Sequence, residues 1–297
     1  MTKFTFSSTG SETLQDTLGG NDTFEVVNPL NLNAGDVVIG GAGNDTLVAD
    51  ATNTTFDFSV MTTAPTSIEA INLNKNNIVA IFKGSQFGTG LISNSASITG
   101  GGGGTGQTLT VNDATNFTAA GWSFGTWTAT DKINLNGTIG ADSIIGSSRQ
   151  DSISGGDGND TIEGGAGNDT LVGGNGTNTV SFASSTEAIT VSLAVATAQT
   201  TGTLAGTDSI SGFDNVVGGS GNDGLTGNAN ANDMSGGGGG DTLLGAAGND
   251  TLDGGAGDDS LDGGTDTDTA SYASASAGVT VSLAAVGAQN TVNAGTD

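Results

Sequence analysis

The stretch GGDGNDTIEGGAGNDTLVGG, residues 155–174, repeats nearly the same nine residues twice. A glycine-rich run leads to an aspartate at position six, Asp160 and Asp169. Position eight is aliphatic, Ile162 and Leu171. Gly, Asn and Asp favour tight turns with positive φ, whereas the last three residues suit a short strand with one inward side chain. The stretch therefore predicts turns and strands that alternate every nine residues.

The nonapeptide recurs in register in two blocks, residues 137–181 and 218–271, and once more as GGAGNDTLV at 40–48. Position six carries an acid or an amide throughout: Asp142, Asp151, Asp160, Asp169 and Asn178 in the first block, Asp223, Asn232, Asp241, Asp250, Asp259 and Asp268 in the second, and Asp45 in the isolated copy. So many copies in register make the repeat a specific signal.

Stacked copies predict an all-β fold. Two nonapeptides close one flat coil of about 18 residues, and successive coils form parallel sheets about 4.8 Å apart. Stacking buries the aliphatic column and lines up the position-six carboxylates. Each neighbouring pair then repels by roughly 1 kcal/mol in water, or roughly 3 to 4 kcal/mol at an effective dielectric near 20. We expect a parallel β-roll or β-solenoid along most of the chain, with a cation between stacked turns.

The available ligands indicate which cation. Carboxylate and carbonyl oxygens without nitrogen or sulfur donors suit a hard cation in a flexible cage, which describes calcium better than magnesium. The alternative is a set of polar turns that are solvated without metal.

Composition supports a need for counter-ions. Among 297 residues, 31 are acidic and five basic, 53 are glycine, and the net charge is −26. Such a surface repels nucleic acid and anionic membranes. The chain has no cysteine and no histidine, which excludes Ser-His-Asp and Cys-His catalysis and imidazole zinc sites. We expect no enzyme, no nucleic-acid partner and no membrane insertion.

These residues resemble the RTX (repeats-in-toxin) nonapeptide, GGxGxDxUx, which forms a calcium-bound parallel β-roll. The resemblance covers the two blocks and implies that turn carbonyls and position-six aspartates share an ion with the repeat two copies later. Carried over, Gly156, Gly158 and Asp160 face Gly173, Asn175 and Asn178, and aspartate pairs form between Asp151 and Asp169, Asp223 and Asp241, Asp241 and Asp259, and Asp250 and Asp268. The other turn residues implied as ligands are Gly164, Ala166, Gly219, Gly221, Gly236, Gly238, Gly248, Gly254, Ala256 and Gly263.

Three departures from the motif predict weak or vacant sites. Asn178 and Asn232 replace aspartate, SSRQ at 147–150 replaces the glycine turn, and Asp233 falls one place late.

The blocks divide the chain into five predicted segments: 1–136 an irregular β-solenoid, 137–181 the first block, 182–217 spacer strands, 218–271 the second block, and 272–297 the start of a second spacer. In the spacers, Val191 and Leu193 and their counterparts Val281 and Leu283 alternate with Thr and Ser, as in a strand with one buried face. We expect the native chain to continue past Asp297 and to leave the cell by a type I route without a cleaved N-terminal signal.

The N-terminal segment loosely resembles RTX-bearing bacterial surface-layer and adhesion proteins, in which β-solenoid coils carry Thr and Asn ladders. The phrases that carry this resemblance include LNAGDVVIGGAGNDTLV and TSIEAINLN. The Gly-rich run at 98–111 predicts a loop between strands. Trp122, Phe124 and Trp127 suit either the solenoid core or an exposed contact patch.

Two functions fit these features. The first is a calcium-binding structural protein of the bacterial exterior that assembles with copies of itself into a surface layer or filament. We expect that contact to use residues 1–30, where Phe4 and Phe6 alternate with polar residues. The second is an adhesin or matrix-binding protein in which the repeats are a spacer, with cell-surface polysaccharide as its partner.

Overall fold

The computed structural model describes residues 3–5, 12–15, 19–28, 32, 36–51, 54–61, 63–73, 75, 77–88, 91–100, 106–203 and 205–274. The chain forms two compact units. Unit 1 comprises residues 1–138 and 150–152, and unit 2 comprises residues 139–149 and 153–297. Phe6, residues 101–105 of the predicted loop, and Val281 and Leu283 of the second spacer lie outside the described residues.

Unit 1 is a solenoid of short parallel strands. Its strands are β1 Lys3–Thr5, β2 Thr13–Gln15, β3 Thr23–Val26, β4 Val37–Ile39, β5 Thr46–Ala49, β6 Thr55–Asp57, β7 Ile68–Leu73, β8 Val79–Lys83, β9 Ile92–Gly100, β10 Thr108–Asn112, β11 Phe117–Thr118, β12 Ser123–Gly125 and β13 Lys132–Asn136, with 3-10 turns at Phe58–Val60 and Gly84–Gln86. One sheet runs β1-β3-β5-β7-β9-β12, a second includes β6-β8-β10-β13, and β2 pairs with β4.

A column of apolar side chains fills unit 1. Phe24, Leu47, Ile71 and Ile98 lie opposite one another on successive strands, and all four are at most 1% exposed. Outside the core, Asn136 Nδ2 donates to Asn112 Oδ1 on the next coil at 2.9 Å. The coils therefore pair like residues, and these asparagines form a rung of the kind predicted for this segment.

The two tryptophans belong to the core. Trp122 and Trp127 are 4% and 7% exposed, and the Trp122 ring lies 5.5 Å from Phe87 and 5.7 Å from Phe117. The exposed-patch interpretation of these tryptophans was therefore wrong, because both side chains are buried.

Unit 2 is a roll built from shorter coils. Its strands are β14 Ser143–Ile145, β15 Asp151–Asp157, whose first two residues belong to unit 1, β16 Thr161–Glu163, β17 Thr170–Asn175, β18 Thr179–Ser181, β19 Thr190–Ser192, β20 Gln199–Gly202, β21 Gly206–Ser211, β22 Asn215–Val217, β23 Gly224–Thr226, β24 Asp233–Gly238, β25 Thr242–Leu244, β26 Thr251–Ala256, β27 Ser260–Asp262 and β28 Thr269–Ser271. Its sheets run β15-β17-β21-β20, β14-β16-β18-β22-β24-β26-β28 and β19-β23-β25-β27.

The position-eight residues face inward, as the nonapeptide predicts. Ile144 lies opposite Ile162, which lies opposite Val180, and none of the three is exposed. Strands of these sheets pair in parallel, except that β20 is antiparallel to β21. The all-β class and the parallel β-roll are confirmed.

The predicted spacer, residues 182–217, ends earlier than the sequence suggested. β21 pairs with β17 and β22 pairs with β18, so residues 206–217 return to the stacked coils. In this stretch an aspartate twice stands two residues before an aliphatic residue, Asp208 before Ile210 in β21 and Asp214, just before β22, ahead of Val216. Within residues 182–203, Val191 of β19 is buried and pairs with Leu225 of β23.

Candidate metal sites

The position-six aspartates form a ladder along unit 2. In its regular part, one carboxylate oxygen of an aspartate accepts the backbone N–H of the equivalent residue 18 positions earlier. Five rungs of this kind are Asp142 N to Asp160 Oδ1 at 2.9 Å, Asp223 N to Asp241 Oδ1 at 2.7 Å, Asn232 N to Asp250 Oδ1 at 2.8 Å, Asp241 N to Asp259 Oδ1 at 2.8 Å and Asp250 N to Asp268 Oδ1 at 3.0 Å. The coil period therefore places each carboxylate beside its equivalent, as the sequence predicted.

The second carboxylate oxygen of three aspartates lies buried without a hydrogen-bond donor. These atoms are Oδ2 of Asp160, Asp241 and Asp250. Each lies over the position-one glycine of its own repeat. A Cβ on Gly155 would overlap both Asp160 Oδ2 and the carbonyl oxygen of Gly173. A Cβ on Gly236 would likewise overlap Asp241 Oδ2 and Gly254 O. A Cβ on Gly245 would overlap Asp250 Oδ2 and Gly263 O.

A carboxylate oxygen and a carbonyl oxygen thus lie close together in each of these turns, and neither atom carries a hydrogen that could bond to the other. A buried carboxylate oxygen without a donor loses its hydration and gains nothing in return. A cation between carboxylate and carbonyl oxygens removes this cost, and glycine at position one leaves the room. The donor set is oxygen only, which is the chemistry of a hard divalent ion.

A family model of the RTX calcium-binding nonapeptide repeat matches four stretches, residues 33–55, 145–180, 208–243 and 235–270. These four stretches of the chain are RTX calcium-binding repeats. RTX repeats bind calcium and are typical of secreted bacterial proteins. The comparison with curated proteins finds no match. Within the described part of the chain, no helix is long and apolar enough to cross a membrane.

In these RTX turns, calcium would be bound by few carboxylates and by many backbone carbonyl oxygens. No group of three or more Asp, Glu, His or Cys side chains gathers among the described residues of the chain. Calcium takes six to eight oxygens and accepts backbone carbonyls among them. The residues that would hold it are therefore the aspartates with free Oδ2 atoms together with the turn carbonyls beside them, where the ion would supply positive charge.

The predicted turn ligands lie in the turns between strands. Gly158 N donates to Asn175 O at 3.0 Å, and Asp160 N donates to Asn178 Oδ1 at 2.9 Å, so the two predicted turns do face each other. Gly156 and Gly158 have φ of 107° and 120°, a conformation open to glycine. Of the remaining turn positions, Gly164, Gly173, Gly219, Gly236 and Gly254 are buried, Gly221, Gly238, Gly248, Gly263 and Ala166 are half-buried, and Ala256 is exposed.

Three predicted positions differ from the regular rungs. Asp169 N donates to Asp208 Oδ1, 39 residues later, because residues 182–203 intervene. Asp151 is buried at the start of β15, and its predicted pairing with Asp169 stays a prediction. Asn232 occupies the ladder position, whereas Asp233 is exposed beside it.

Asp45 belongs to an equivalent rung in unit 1, where the coil is longer. Its Oδ1 accepts from Asp22 N, 23 residues earlier, and its own N–H donates to Glu69 Oε2, 24 residues later. A Cβ on Gly40 would overlap Ser67 O and meet Asp45 Oδ2. Glu69 has no nonapeptide around it, so no local pattern indicated it.

The position-five asparagines form a second ladder, which was not predicted from the sequence. Asn159 Oδ1 accepts from Thr177 N at 3.0 Å and Asn222 Oδ1 from Gly240 N at 2.8 Å, each donor 18 residues later. This direction is opposite to that of the aspartates. Each turn is therefore tied to the coil on both sides. The frequent Asn-Asp pair at positions five and six was the available signal.

Burial raises the pKa of three ladder carboxylates, those of Asp160, Asp208 and Asp241. For Asp160, burial is the main cause of the raised pKa, and the charges of Asp142 and Asp157 raise it further. The hydrogen bond from the Asp142 backbone lowers the pKa but does not cancel the rise. For Asp241 burial, with the charges of Asp223 and Asp259, raises the pKa to about 6 despite the hydrogen bond from the Asp223 backbone. In the absence of a cation, protons therefore take part in neutralising the ladder.

The raised pKa of Asp241 predicts opposite pH responses with and without calcium. Because its folded pKa of about 6 exceeds the ordinary 3.8, the stability that protonation contributes is present below about pH 4 and lost as the pH rises through 6. Metal-free protein should gain β signal in circular dichroism between pH 7 and pH 5. Calcium must displace that proton, so its affinity at the site should fall about tenfold over the same interval. Equal calcium affinity at both pH values, measured by calorimetric titration, would contradict this prediction.

Proposed function

We propose that this RTX-repeat protein is a calcium-binding, non-catalytic structural protein of the bacterial exterior that assembles with copies of itself into a surface layer or filament. The observation that carries the proposal is the open edge of β1. Both units consist of stacked strands, and a stacked sheet ends in a strand with unpaired backbone groups. Such an edge accepts a strand from another chain without any new side-chain site.

β1 is a formed strand with one partner. It pairs with β3 through Phe4 opposite Phe24, and these rings stack with centroids 5.0 Å apart. Lys3 Nζ forms an ion pair with Glu25 Oε2 at 2.5 Å. Its sheet runs from β1 inward, so among the described strands nothing pairs with the outer edge of β1. The edge is therefore held in strand conformation and is available for addition.

Calcium links assembly to the outside of the cell. Calcium sites of extracellular modules typically have Kd values of about 10⁻⁴ to 10⁻³ M, so they fill only after export. A chain whose carboxylate ladder opposes folding would stay extended inside and fold outside. This order suits type I secretion, which we propose as the export route. Calcium would then stiffen each roll within the assembly.

The edge of β1 can be tested without removing a coil. Successive residues of a strand point their N–H groups to opposite sides, so the double variant Phe4→Pro, Thr5→Pro loses the outward donor whichever residue carries it. The control Phe4→Val, Thr5→Val keeps both donors. In millimolar calcium, light scattering should show large particles for the full chain and the valine control, and the proline variant should remain small.

Polymerisation of the proline variant to the same size would remove β1 as the contact. A full chain that remains monomeric at high concentration in calcium would overturn self-assembly altogether and favour an adhesin.

A cavity in unit 1 favours an adhesin as the second candidate. It has a volume of about 330 Å³ and lies between the aromatic side chains Phe87 and Phe117 and the exposed polar side chains Asn94, Asp113 and Asn116. Asp113 and Asn116 have φ of 54° and 48°, so they form an unusual turn at the cavity rim. An aromatic wall with hydroxyl-binding amides suits a saccharide. As an adhesin, the protein would bind cell-surface polysaccharide there, and the rolls would serve as a spacer.

A further inference from the structure

In the middle of unit 2, hydrogen-bond donors of the protein reach oxygen atoms whose equivalents in the outer turns have no donor. We define its central segment as residues 173–232, which contains β18 to β23. At Asn178, Oδ1 accepts from Asp160 N, as an aspartate would. Its Nδ2, however, donates to Gly212 O at 3.1 Å and to Gly174 O at 3.3 Å. The amide therefore supplies two hydrogen bonds that a carboxylate cannot.

Asn178 Nδ2 stands where Asp160 has Oδ2 one coil earlier. A Cβ on Gly173 would overlap Gly212 O and approach Asn178 Nδ2 at 2.9 Å. A Cβ on Gly155 would meet Gly173 O and Asp160 Oδ2 in the same arrangement. At Asp160 two oxygens face each other, whereas at Asn178 an N–H faces the oxygen. The amide thus replaces the cation at this rung.

The amide further along the same ladder is oriented differently. A Cβ on Gly227 would overlap Gly245 O and Asn232 Oδ1, so the oxygen of the amide faces that carbonyl in Asn232. Its Nδ2 donates to Asp214 O at 2.6 Å, and its Oδ1 accepts from Asn228 N at 2.8 Å. Its own N–H donates to Asp250 Oδ1, so it stays within the ladder. The Asn228 N–H therefore satisfies Asn232 Oδ1, whereas at Asn178 the side-chain amide satisfies the carbonyl oxygen of Gly212.

The aspartates of the central segment are satisfied in a similar way. Asp208 accepts from Asp169 N through Oδ1 and from Thr201 Oγ1 through Oδ2, at 2.8 and 2.6 Å. Asp223 accepts from Ile189 N through Oδ1 and from Gly219 N through Oδ2, at 2.8 and 2.7 Å. These atoms have the donors that Oδ2 of Asp160, Asp241 and Asp250 lack.

We infer that the central segment is a calcium-independent core, in which the amide of Asn178, the hydroxyl of Thr201 and the backbone N–H groups of Gly219 and Asn228 replace the cation. Calcium dependence is then confined to the outer turns, at Asp160 on one side and at Asp241 and Asp250 on the other. On calcium loss the outer coils open while the core stays paired, and on calcium return they refold onto it. This inference goes beyond the proposed function and does not depend on assembly.

Hydrogen exchange of the full chain tests the core directly. In metal-free protein, the amides of β18, β21 and β22 should keep their protection. The amides of β16, β25 and β26 should exchange about 100-fold faster than in protein with calcium at 100 times Kd, which is the effect of losing one bound ion. Uniform loss of protection across both groups of strands would overturn the inference, as would uniform retention.

Exchanging amide and carboxylate tests the cause. Asn178→Asp should add one calcium ion per chain in titration calorimetry and lower the stability of the metal-free protein, because it removes the N–H that faces Gly212 O. Asn159→Asp is the matched control, because Asn159 is exposed and uses only Oδ1 toward Thr177 N, an atom that aspartate keeps. Unchanged stoichiometry in the Asn178→Asp variant would refute the amide substitution.

The reverse exchange guards against variants that fail to fold. Asp241→Asn places an amide against Gly254 O and should remove one calcium ion while raising the midpoint of denaturant unfolding in metal-free protein. A variant that keeps the wild-type number of ions, or that loses stability without metal, would contradict the inference.

Discussion

Removal of calcium should cost the protein most of its stability outside the central segment. Three buried Oδ2 atoms, those of Asp160, Asp241 and Asp250, lack a hydrogen-bond donor. If each shares one ion at about 100 times Kd, binding contributes about 2.7 kcal/mol per site and about 8 kcal/mol together. Whole domains have unfolding free energies of about 5 to 15 kcal/mol. Far-UV circular dichroism should therefore show a large loss of β signal in excess chelator, and full recovery when calcium returns.

Two controls separate specific binding from charge screening. The net charge is −26, so salt alone relieves part of the repulsion. Sodium chloride at high ionic strength should restore little of the lost signal, because it cannot fill the buried oxygen sites. Magnesium should also be a poor substitute, since it prefers a tight octahedron and retains its waters. An unchanged spectrum in excess chelator would sink the idea of a calcium-dependent roll.

Truncation of the inward leucine of β25 should cause a large loss of stability. Leu243 is fully buried and lies opposite Leu225 on one side and Leu261 on the other. Leu243→Ala should lower the free energy of unfolding by about 2 to 5 kcal/mol, through lost burial and the cavity left behind. Denaturant unfolding in saturating calcium measures the change without altering the metal sites.

Leu244 provides the matched control one residue away on the same strand. Its side chain is 39% exposed, so Leu244→Ala should change the free energy of unfolding by no more than about 0.5 kcal/mol. Equal losses for the two variants would mean that β25 does not alternate inward and outward side chains in this way.

The nonapeptide is a local pattern, and its consequences were open to prediction. Position-eight residues such as Ile162 and Leu243 face inward because a strand alternates its side chains and the turns recur at a constant interval. The 18-residue rungs, such as Asp241 with Asp259, result from two nonapeptides per coil. Glu69 could not be found in this way, because its rung to Asp45 spans 24 residues with no repeated motif.

The sequence by itself determined the fold class and the chemistry of the ladder. A regular period sets which residues stack, and the absence of cysteine and histidine leaves only oxygen ligands. Only the tertiary structure decided how the coils resume after an interruption. Whether Asp208 rejoins the ladder after residues 182–203 depends on pairing across 39 residues. Likewise, Asn178 resembles a defective ligand until Gly212 O is found beside its Nδ2, because hydrogen-bond partners distant in sequence are chosen by packing and not by local pattern.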